Sequence, residues 1–323
     1  MKKFLYNFFF AIIPFLIYVF LIMVFRPYFI KKQYFQNNRS DLLIKHLQKF
    51  KRKSFDTFIL GNSRSQMLKA KKFQNQNHSG FHFDNPGGNL YHFQNSLEYL
   101  AYNFDFQNVI LFLDSQSIVY NESENTYHSS LSPIITGDYL NFYSNYIKLF
   151  FNYRFVISII LKEFDFEIPK YFRGYVLDWA DYNSTSKLTG DIEFNIDKLI
   201  RANKNEFFNS QKYKSRFENN YKNVSINNNE LTLKNLKIIK EILDTNKVNY
   251  VIVIPPVYNN ISTSANDAEL IKKTFNNINV LDFSNNPTYY LDINNFKDYS
   301  HFNNHFGDFI YSKIQLRKPQ ISH

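Results

Sequence analysis

The sequence contains no cysteine in its 323 residues. A chain without cysteine has no disulfide framework and no thiolate ligand for a metal. An internal repeat and a nucleic-acid-binding motif are also missing, and the lysines are scattered, so the net charge of +10 does not indicate a nucleic-acid-binding protein. A basic chain of this kind is instead expected near an anionic polymer or a membrane surface.

A second long apolar run is missing too, and the single run that exists is N-terminal. The stretch from Phe4 to Phe25 carries no charge, and a bilayer-spanning helix needs about 20 apolar residues. A cleaved signal peptide has a shorter apolar core, of about 7–15 residues. We therefore expect an uncleaved anchor over residues 1–27, a basic membrane-proximal helix over 28–53 and an α/β domain over 54–323. Basic residues flank the anchor on both sides and leave its orientation open.

The rest of the chain alternates between short apolar runs and helical patterns. The runs have strand length and are rich in β-branched and aromatic residues: Phe55–Leu60, Phe81–Asn85, Val109–Leu113, Tyr250–Ile254 and Asn279–Phe283. Helical spacing of apolar residues follows at Leu90–Tyr102, Leu231–Leu243, Ala265–Phe275 and His305–Ile314. Continuous apolar strands between helices predict an α/β fold with a parallel sheet covered on both faces.

Residues 120–229 interrupt this alternation. They are rich in Tyr, Asn and Phe, and they predict helices near Tyr143–Leu161 and Ile196–Phe217. We interpret the segment as a mostly helical insertion. It acts either as a lid over the sheet or as a peripheral decoration.

The first strand leads into the polar sequence Gly61-Asn62-Ser63-Arg64-Ser65. Glycine permits a sharp turn, and the residues after it predict a helix from about Ser65. Ser63 would then lie at unpaired N–H groups, where its oxygen is a candidate nucleophile and its own N–H can bind an oxyanion. The alternative is structural, because Asn and Ser are also preferred N-cap residues. Ser65 is a second candidate nucleophile.

An acid and a histidine lie three positions apart near the other end of the chain, in Asp298-Tyr299-Ser300-His301. A serine nucleophile needs a base, and the base needs a carboxylate that orients it. This one loop can supply both. His301 and His305 have the spacing of a helical zinc pair, but no glutamate follows His301, and Asn303-Asn304 is a weak helix interior. We predict no metal and no cofactor.

With these residues, the chain resembles the SGNH/GDSL hydrolase superfamily over about residues 55–120 and 247–311. Gly61-Asn62-Ser63 is similar to the first motif of that family, Gly-Asp-Ser, and Asp298 to His301 is similar to its last, Asp-x-x-His. Gly87-Gly88 lies where the family has an oxyanion glycine. The resemblance implies a flavodoxin-like three-layer sandwich. It also implies that Ser63 is the nucleophile, His301 the base and Asp298 its orienter, with the N–H groups of Ser63 and Gly88 in the oxyanion hole.

The family's third motif, Gly-x-Asn-Asp, is not matched. The equivalent strand ends in Leu113-Asp114-Ser115-Gln116, without the asparagine that completes the oxyanion hole. Loss of one such donor costs roughly 10²–10³ in rate unless another group replaces it, and Asn89 or Gln116 is the expected replacement. Asp114 and Arg64 are candidate substrate-binding residues at the same rim; Arg64 either binds an anionic substrate or pairs structurally.

The resemblance is greatest to membrane-anchored members that modify surface polymers, such as the D-alanyl-transfer protein of teichoic acid assembly and acetyltransferase-like proteins of exopolysaccharide export. It implies a serine acyl hydrolase or O-acyltransferase, held in the cytoplasmic membrane by Phe4–Phe25 with its soluble domain outside. An acylated surface glycan or anionic polymer is the expected substrate, and a membrane acyltransferase a partner. The alternative is an inactive relative that binds a polymer or scaffolds an export complex.

Overall fold

The computed structural model describes residues 38–50, 55–74, 79–118, 130–163, 185–194, 230–260 and 264–315, together with isolated positions elsewhere. The predicted anchor at Phe4–Phe25 lies largely outside these residues, and so does the predicted helix at Ile196–Phe217. Within the part of the chain that is described, no helix is both long and apolar enough to cross a bilayer.

A sheet of five parallel strands forms the centre of the molecule. The strands are β1 Thr57–Gly61, β2 Gly80–Asp84, β3 Asn108–Phe112, β4 Asn249–Ile254 and β5 Val280–Asp282. Their order across the sheet is β2-β1-β3-β4-β5, and every neighbouring pair is parallel. All five predicted strands and their parallel arrangement are confirmed. This strand order is the common doubly wound one, in which ligands lie beyond the carboxyl ends of the strands.

Nine α-helices are formed in the described ranges. They are α1 Arg39–Lys49, α2 Leu90–Asn103, α3 Pro133–Thr136, α4 Tyr139–Phe151, α5 Tyr153–Glu163, α6 Glu230–Thr245, α7 Ala265–Phe275, α8 Pro287–Tyr290 and α9 Asn304–Gln315. The four helices predicted from helical spacing of apolar residues are among them, as α2, α6, α7 and α9, with bounds that differ by at most two positions.

The two faces of the sheet carry separate cores, because successive side chains of a strand point to opposite sides. Phe58 and Leu60 of β1 pack with α1, α2, α6 and α7, whereas Ile59 packs on the other face with α9. Helix α1 belongs to the first core: its Leu43 and Ile44 are fully buried. The segment predicted to be membrane-proximal therefore contributes a helix that packs on the domain.

The prediction of a helix after β1 is wrong. A five-residue 3₁₀ helix, Ser63–Met67, follows the strand, and a second short one follows at Ala70–Phe73. Between them the chain is extended, and Met67 and Leu68 are fully buried. A continuous α-helix would turn part of this segment to solvent, so tertiary packing overrides its local helical preference.

In the described part of the insertion, residues 185–194 pack on the edge of the sheet, and α3 packs on α1 and α2. Residues 185–194 lie along β2, where the Thr189 carbonyl accepts the His82 N–H at 2.7 Å. This contact covers an edge strand that would otherwise present unpaired backbone groups. The predicted helix near Tyr143–Leu161 is observed as two helices, α4 and α5, separated at Asn152.

Candidate active site

The turn after β1 presents Ser63 at the rim of the sheet. The backbone at Gly61 has φ +155°, and a Cβ there would lie 2.7 Å from the Cβ of Phe112, so this close approach requires glycine. The Asn62 side chain accepts the Arg64 N–H at 3.0 Å and fixes the turn. Ser63 is the first residue of the 3₁₀ helix, a position whose N–H has no partner within the helix.

A short loop before α9 presents the histidine. The Oδ1 atom of Asp298 accepts the N–H groups of Ser300 and His301, both at 2.9 Å, which closes the loop around its own carboxylate. An antiparallel bridge between Phe296 and Phe302, both fully buried, anchors the two ends of the loop in the core. These contacts hold the loop that carries His301 in place, although the loop itself is neither helix nor strand.

The two segments bring the three predicted catalytic side chains together across 238 positions of sequence. Ser63 Oγ lies 2.9 Å from His301 Nε2. His301 Nδ1 lies 2.9 Å and 3.1 Å from the two carboxylate oxygens of Asp298. With Nδ1 protonated and bonded to the carboxylate, Nε2 carries the lone pair that faces the serine hydroxyl. This is the arrangement that a serine, its base and the base's orienter require.

The ionisation states suit the same roles. Burial has the largest effect on His301 and lowers its pKa; the charges of Lys297 and Arg64 act in the same direction, and together they outweigh the opposing effect of Asp298. Burial would raise the pKa of Asp298, but His301, Lys297 and the Ser300 N–H outweigh it and hold the pKa below its ordinary value. The pair is therefore a neutral imidazole beside an ionised carboxylate at neutral pH.

Two predicted oxyanion donors have other partners. The Gly88 N–H donates to the Asn85 carbonyl at 2.7 Å, so it is engaged within its own turn. Asn89 is the N-cap of α2: its side chain accepts the Tyr91 N–H at 3.1 Å, and its own N–H donates to His92 Nδ1 at 3.2 Å. Both positions follow β2 as expected, but their hydrogen bonds stabilise the start of α2.

The two predicted substrate-binding residues pair with each other. Arg64 and Asp114 form a salt bridge in which the side chains are 5% and 2% exposed. Burial alone would raise the pKa of Asp114, but the Arg64 charge and hydrogen bonds from Ser117, Arg64 and Asn62 lower it. Of the two roles expected for Arg64, structural pairing is the one observed. Gln116 is different, because its side chain is at the surface and its Oε1 accepts from Arg64 at 3.1 Å.

The sequence interpretation missed a polar layer beneath the serine turn. Ser65 Oγ lies 3.1 Å from His82 Nε2, and His82 Nδ1 lies 3.4 Å from Asp191. Beside them Asp84 accepts from Gln66 at 2.6 Å and forms a buried salt bridge with Arg39. One signal was present: Asp84 directly ends β2, as Asp114 follows β3. Arg39 and Asp191 lie in segments whose local pattern does not indicate a partner.

In the described part of the chain, no three His, Cys, Asp or Glu side chains group as metal ligands. Comparison of the sequence with models of known protein families gives no match, and comparison with curated proteins gives no similar sequence.

Proposed function

We propose that this protein is a serine acyl hydrolase or O-acyltransferase of the SGNH type. The observation that carries the proposal is the hydrogen-bonded series Ser63–His301–Asp298, with 2.9 Å at each contact. It joins a turn after β1 to a loop before α9 at the carboxyl edge of a parallel sheet, where α/β proteins bind ligands. The lowered pKa of His301 and the lowered pKa of Asp298, which follow from the same geometry, are consistent with a neutral base beside an ionised carboxylate.

The reaction that this geometry supports is acyl transfer through the serine. Ser63 Oγ attacks the ester carbonyl carbon while its proton passes to His301 Nε2. Asp298 keeps the imidazole oriented and stabilises the imidazolium. As the carbon–oxygen bond of the ester breaks, His301 returns the proton to the leaving alkoxide and the acyl group remains on Ser63. Water or a sugar hydroxyl then repeats the sequence on the acyl-serine, and Ser63 regains its proton.

The substrate class rests on the charge and the apolar run of the sequence. The net charge of +10 favours an anionic or polymeric partner. The uncharged run Phe4–Phe25 supports a single-pass anchor, and the resemblance to membrane-anchored proteins that modify surface polymers is the reason to place that anchor in the cytoplasmic membrane with the domain outside. An acylated surface or exported polysaccharide satisfies both, and a membrane acyltransferase is the partner that would supply acyl groups in a transfer reaction.

Covalent labelling tests the proposal. A fluorophosphonate probe should label the purified full-length chain, and Ser63→Ala and His301→Ala should each abolish the label. Ser65→Ala is the matched control because Ser65 is two positions away and also contacts a histidine. It should leave the label in place. A label that survives Ser63→Ala, or is absent from the unmodified chain, refutes the serine mechanism.

A specific observation favours a second candidate, an inactive relative that binds a polymer. The oxyanion hole has few evident donors, because Gly88 and Asn89 are engaged in the start of α2 and Asn62 Nδ2 donates to Asp114 at 3.1 Å. Binding of an acylated or anionic polysaccharide, measured by calorimetry on a chain that no probe labels, would establish this candidate instead.

A further inference from the structure

Arg64 directly follows Ser63, yet its side chain contacts two segments that are distant in sequence, the loop after β3 and the loop before α9. Its Nε donates to the Ser300 carbonyl at 2.9 Å, one terminal nitrogen forms the salt bridge with Asp114, and the other donates to Gln116 Oε1 at 3.1 Å. The residue is 4% exposed. Since a guanidinium carries its donors in fixed directions, it can hold several acceptors in one relative arrangement.

We propose that Arg64 is a positioning residue that holds the Asp298–His301 loop against the Ser63 turn, with Asp114 as its counter-charge. This inference rests on the proposed function, because it assigns a role within the same site. The link passes through Ser300, whose carbonyl accepts from Arg64 while its N–H and hydroxyl bond Asp298 Oδ1 at 2.9 Å and 3.1 Å. His301 is the next residue, so a displaced carbonyl displaces the imidazole.

Asp114 completes the connection on the other side. Its Oδ2 accepts from Asn62 Nδ2 at 3.1 Å as well as pairing with Arg64. Its Oδ1 accepts the N–H groups of Gln116 and Ser117 at 3.0 Å and 2.9 Å. The loop after β3 is therefore tied to both ends of the serine turn. Removing one partner of such a buried pair leaves the other charge uncompensated, which costs more than the pair itself contributes.

The charge of Arg64 also reaches His301. The charged groups that face His301 are Asp298 on its own loop, its neighbour Lys297, and Arg64 on the serine turn; burial, Lys297 and Arg64 lower the pKa of His301 and Asp298 raises it. Loss of the Arg64 charge should therefore raise this pKa. Loss of the Asp114 charge leaves Arg64 uncompensated and should lower it. Opposite shifts from two members of one pair are not expected from a general loss of packing.

The experiment compares Arg64→Met, Arg64→Lys and Asp114→Asn in the full-length chain. Arg39→Met is the matched control, because Arg39 is also 4% exposed and also pairs with a buried aspartate, Asp84. Hydrolysis of p-nitrophenyl acetate gives kcat and KM, and NMR of the histidine ring protons gives the titration of His301. Ring assignments come from a His301→Gln spectrum.

In Arg64→Met, kcat should fall about 100-fold with little change in KM, the penalty for a displacement near 1 Å. Arg64→Lys should recover only part of the loss, because an ammonium lacks the guanidinium's fork. The His301 midpoint should rise in Arg64→Met and fall in Asp114→Asn, while Arg39→Met should lower the unfolding temperature and leave kcat and the midpoint unchanged. Should Arg64→Met fail to fold, Arg64→Lys carries the comparison.

An unchanged kcat in an active chain with Arg64→Met, or equal losses in Arg64→Met and Arg39→Met, would overturn the positioning role. The titration separates this inference from the proposed function, since it requires no turnover. Midpoints that move as expected in a chain that cleaves no ester would support the Arg64 role and reject the enzyme. A His301 midpoint that does not move in any variant of an active chain would reject the Arg64 role and support the enzyme.

Discussion

Two Ser–His–Asp arrangements lie side by side in this molecule, with serines only two positions apart. In the first, Ser63, His301 and Asp298 meet at 2.9 Å contacts, and the His301 and Asp298 side chains are 24% and 19% exposed. In the second, Ser65 and His82 are fully buried, and the contact from His82 to Asp191 is 3.4 Å. Residue types alone therefore do not define a catalytic site.

Proton donors and acceptors separate the two arrangements further. The Ser65 hydroxyl donates its proton to the Asn62 carbonyl at 2.8 Å, so this proton does not point at His82. Asp191 accepts the N–H groups of Ala70 and Lys71 at 2.7 Å and 3.0 Å in addition to its histidine. Asp298 likewise accepts two backbone N–H groups, so the two arrangements differ mainly at the serine hydroxyl. In the first set, the described residues offer the Ser63 hydroxyl only the His301 Nε2 atom as a partner, and Ser63 is partly exposed.

The largest expected effect comes from removing each of the two serine hydroxyls in turn and comparing the two variants. Ser63→Ala should reduce ester hydrolysis by about 10⁴-fold or more, because the nucleophile and its base act as one unit. Ser65→Ala should retain hydrolysis and lose stability instead, by about 1–3 kcal/mol, since it leaves the fully buried His82 Nε2 without its hydrogen-bond partner. Steady-state kinetics and urea denaturation of both variants check this. Equal kinetic losses in the two variants would remove the distinction between the sets.

The two aspartates should differ in the same way, with a smaller effect. Asp298→Asn preserves the shape but favours the wrong imidazole tautomer, so we expect kcat to fall by about 10²–10⁴-fold, less than for Ser63→Ala. Asp191→Asn should leave kcat unchanged and lower the midpoint of urea denaturation. An Asp298→Asn enzyme with full activity would show that this carboxylate only closes its loop.

Gln116 offers a finer test of the first set. Its Oε1 faces the guanidinium of Arg64, which has only donors, so its NH₂ points elsewhere and is the remaining candidate for the missing oxyanion donor. If it acts so, Gln116→Ala should lower kcat by about 10-fold with KM unchanged, the low end of such losses because the side chain is at the surface. Gln116→Glu keeps the size, removes the donor and should lose at least as much. Full activity in both would exclude it.

Much of the first set was predictable, and little of the second. Five apolar runs defined the sheet, and the turn after β1 and the Asp298–His301 loop carried recognisable local chemistry. The 3₁₀ turn after β1 was not predictable, because it depends on the burial of both Met67 and Leu68 in the tertiary core. Nor was the pairing of Asp191 with His82, since nothing in a helical insertion indicates which strand it covers. Local patterns reveal elements, whereas buried polar networks depend on contacts distant in sequence.

The smallest expected effect is a displacement of the pH profile, and its sign follows from the surroundings of His301. Burial, Lys297 and Arg64 lower the pKa of His301 more than Asp298 raises it. The base must be neutral, so kcat/KM should fall as pH drops through a midpoint below the ordinary histidine value of about 6.5.

The unfolded chain takes up the proton at about 6.5 whereas the folded chain resists it. The folded state therefore loses stability as pH falls from about 6.5 to the folded pKa. His301→Gln should remove this part of the stability loss while leaving any contribution from His46, whose pKa burial also lowers. An acidic midpoint above 6.5 would mean that the Asp298 carboxylate outweighs burial and makes His301 easier to protonate than a free imidazole.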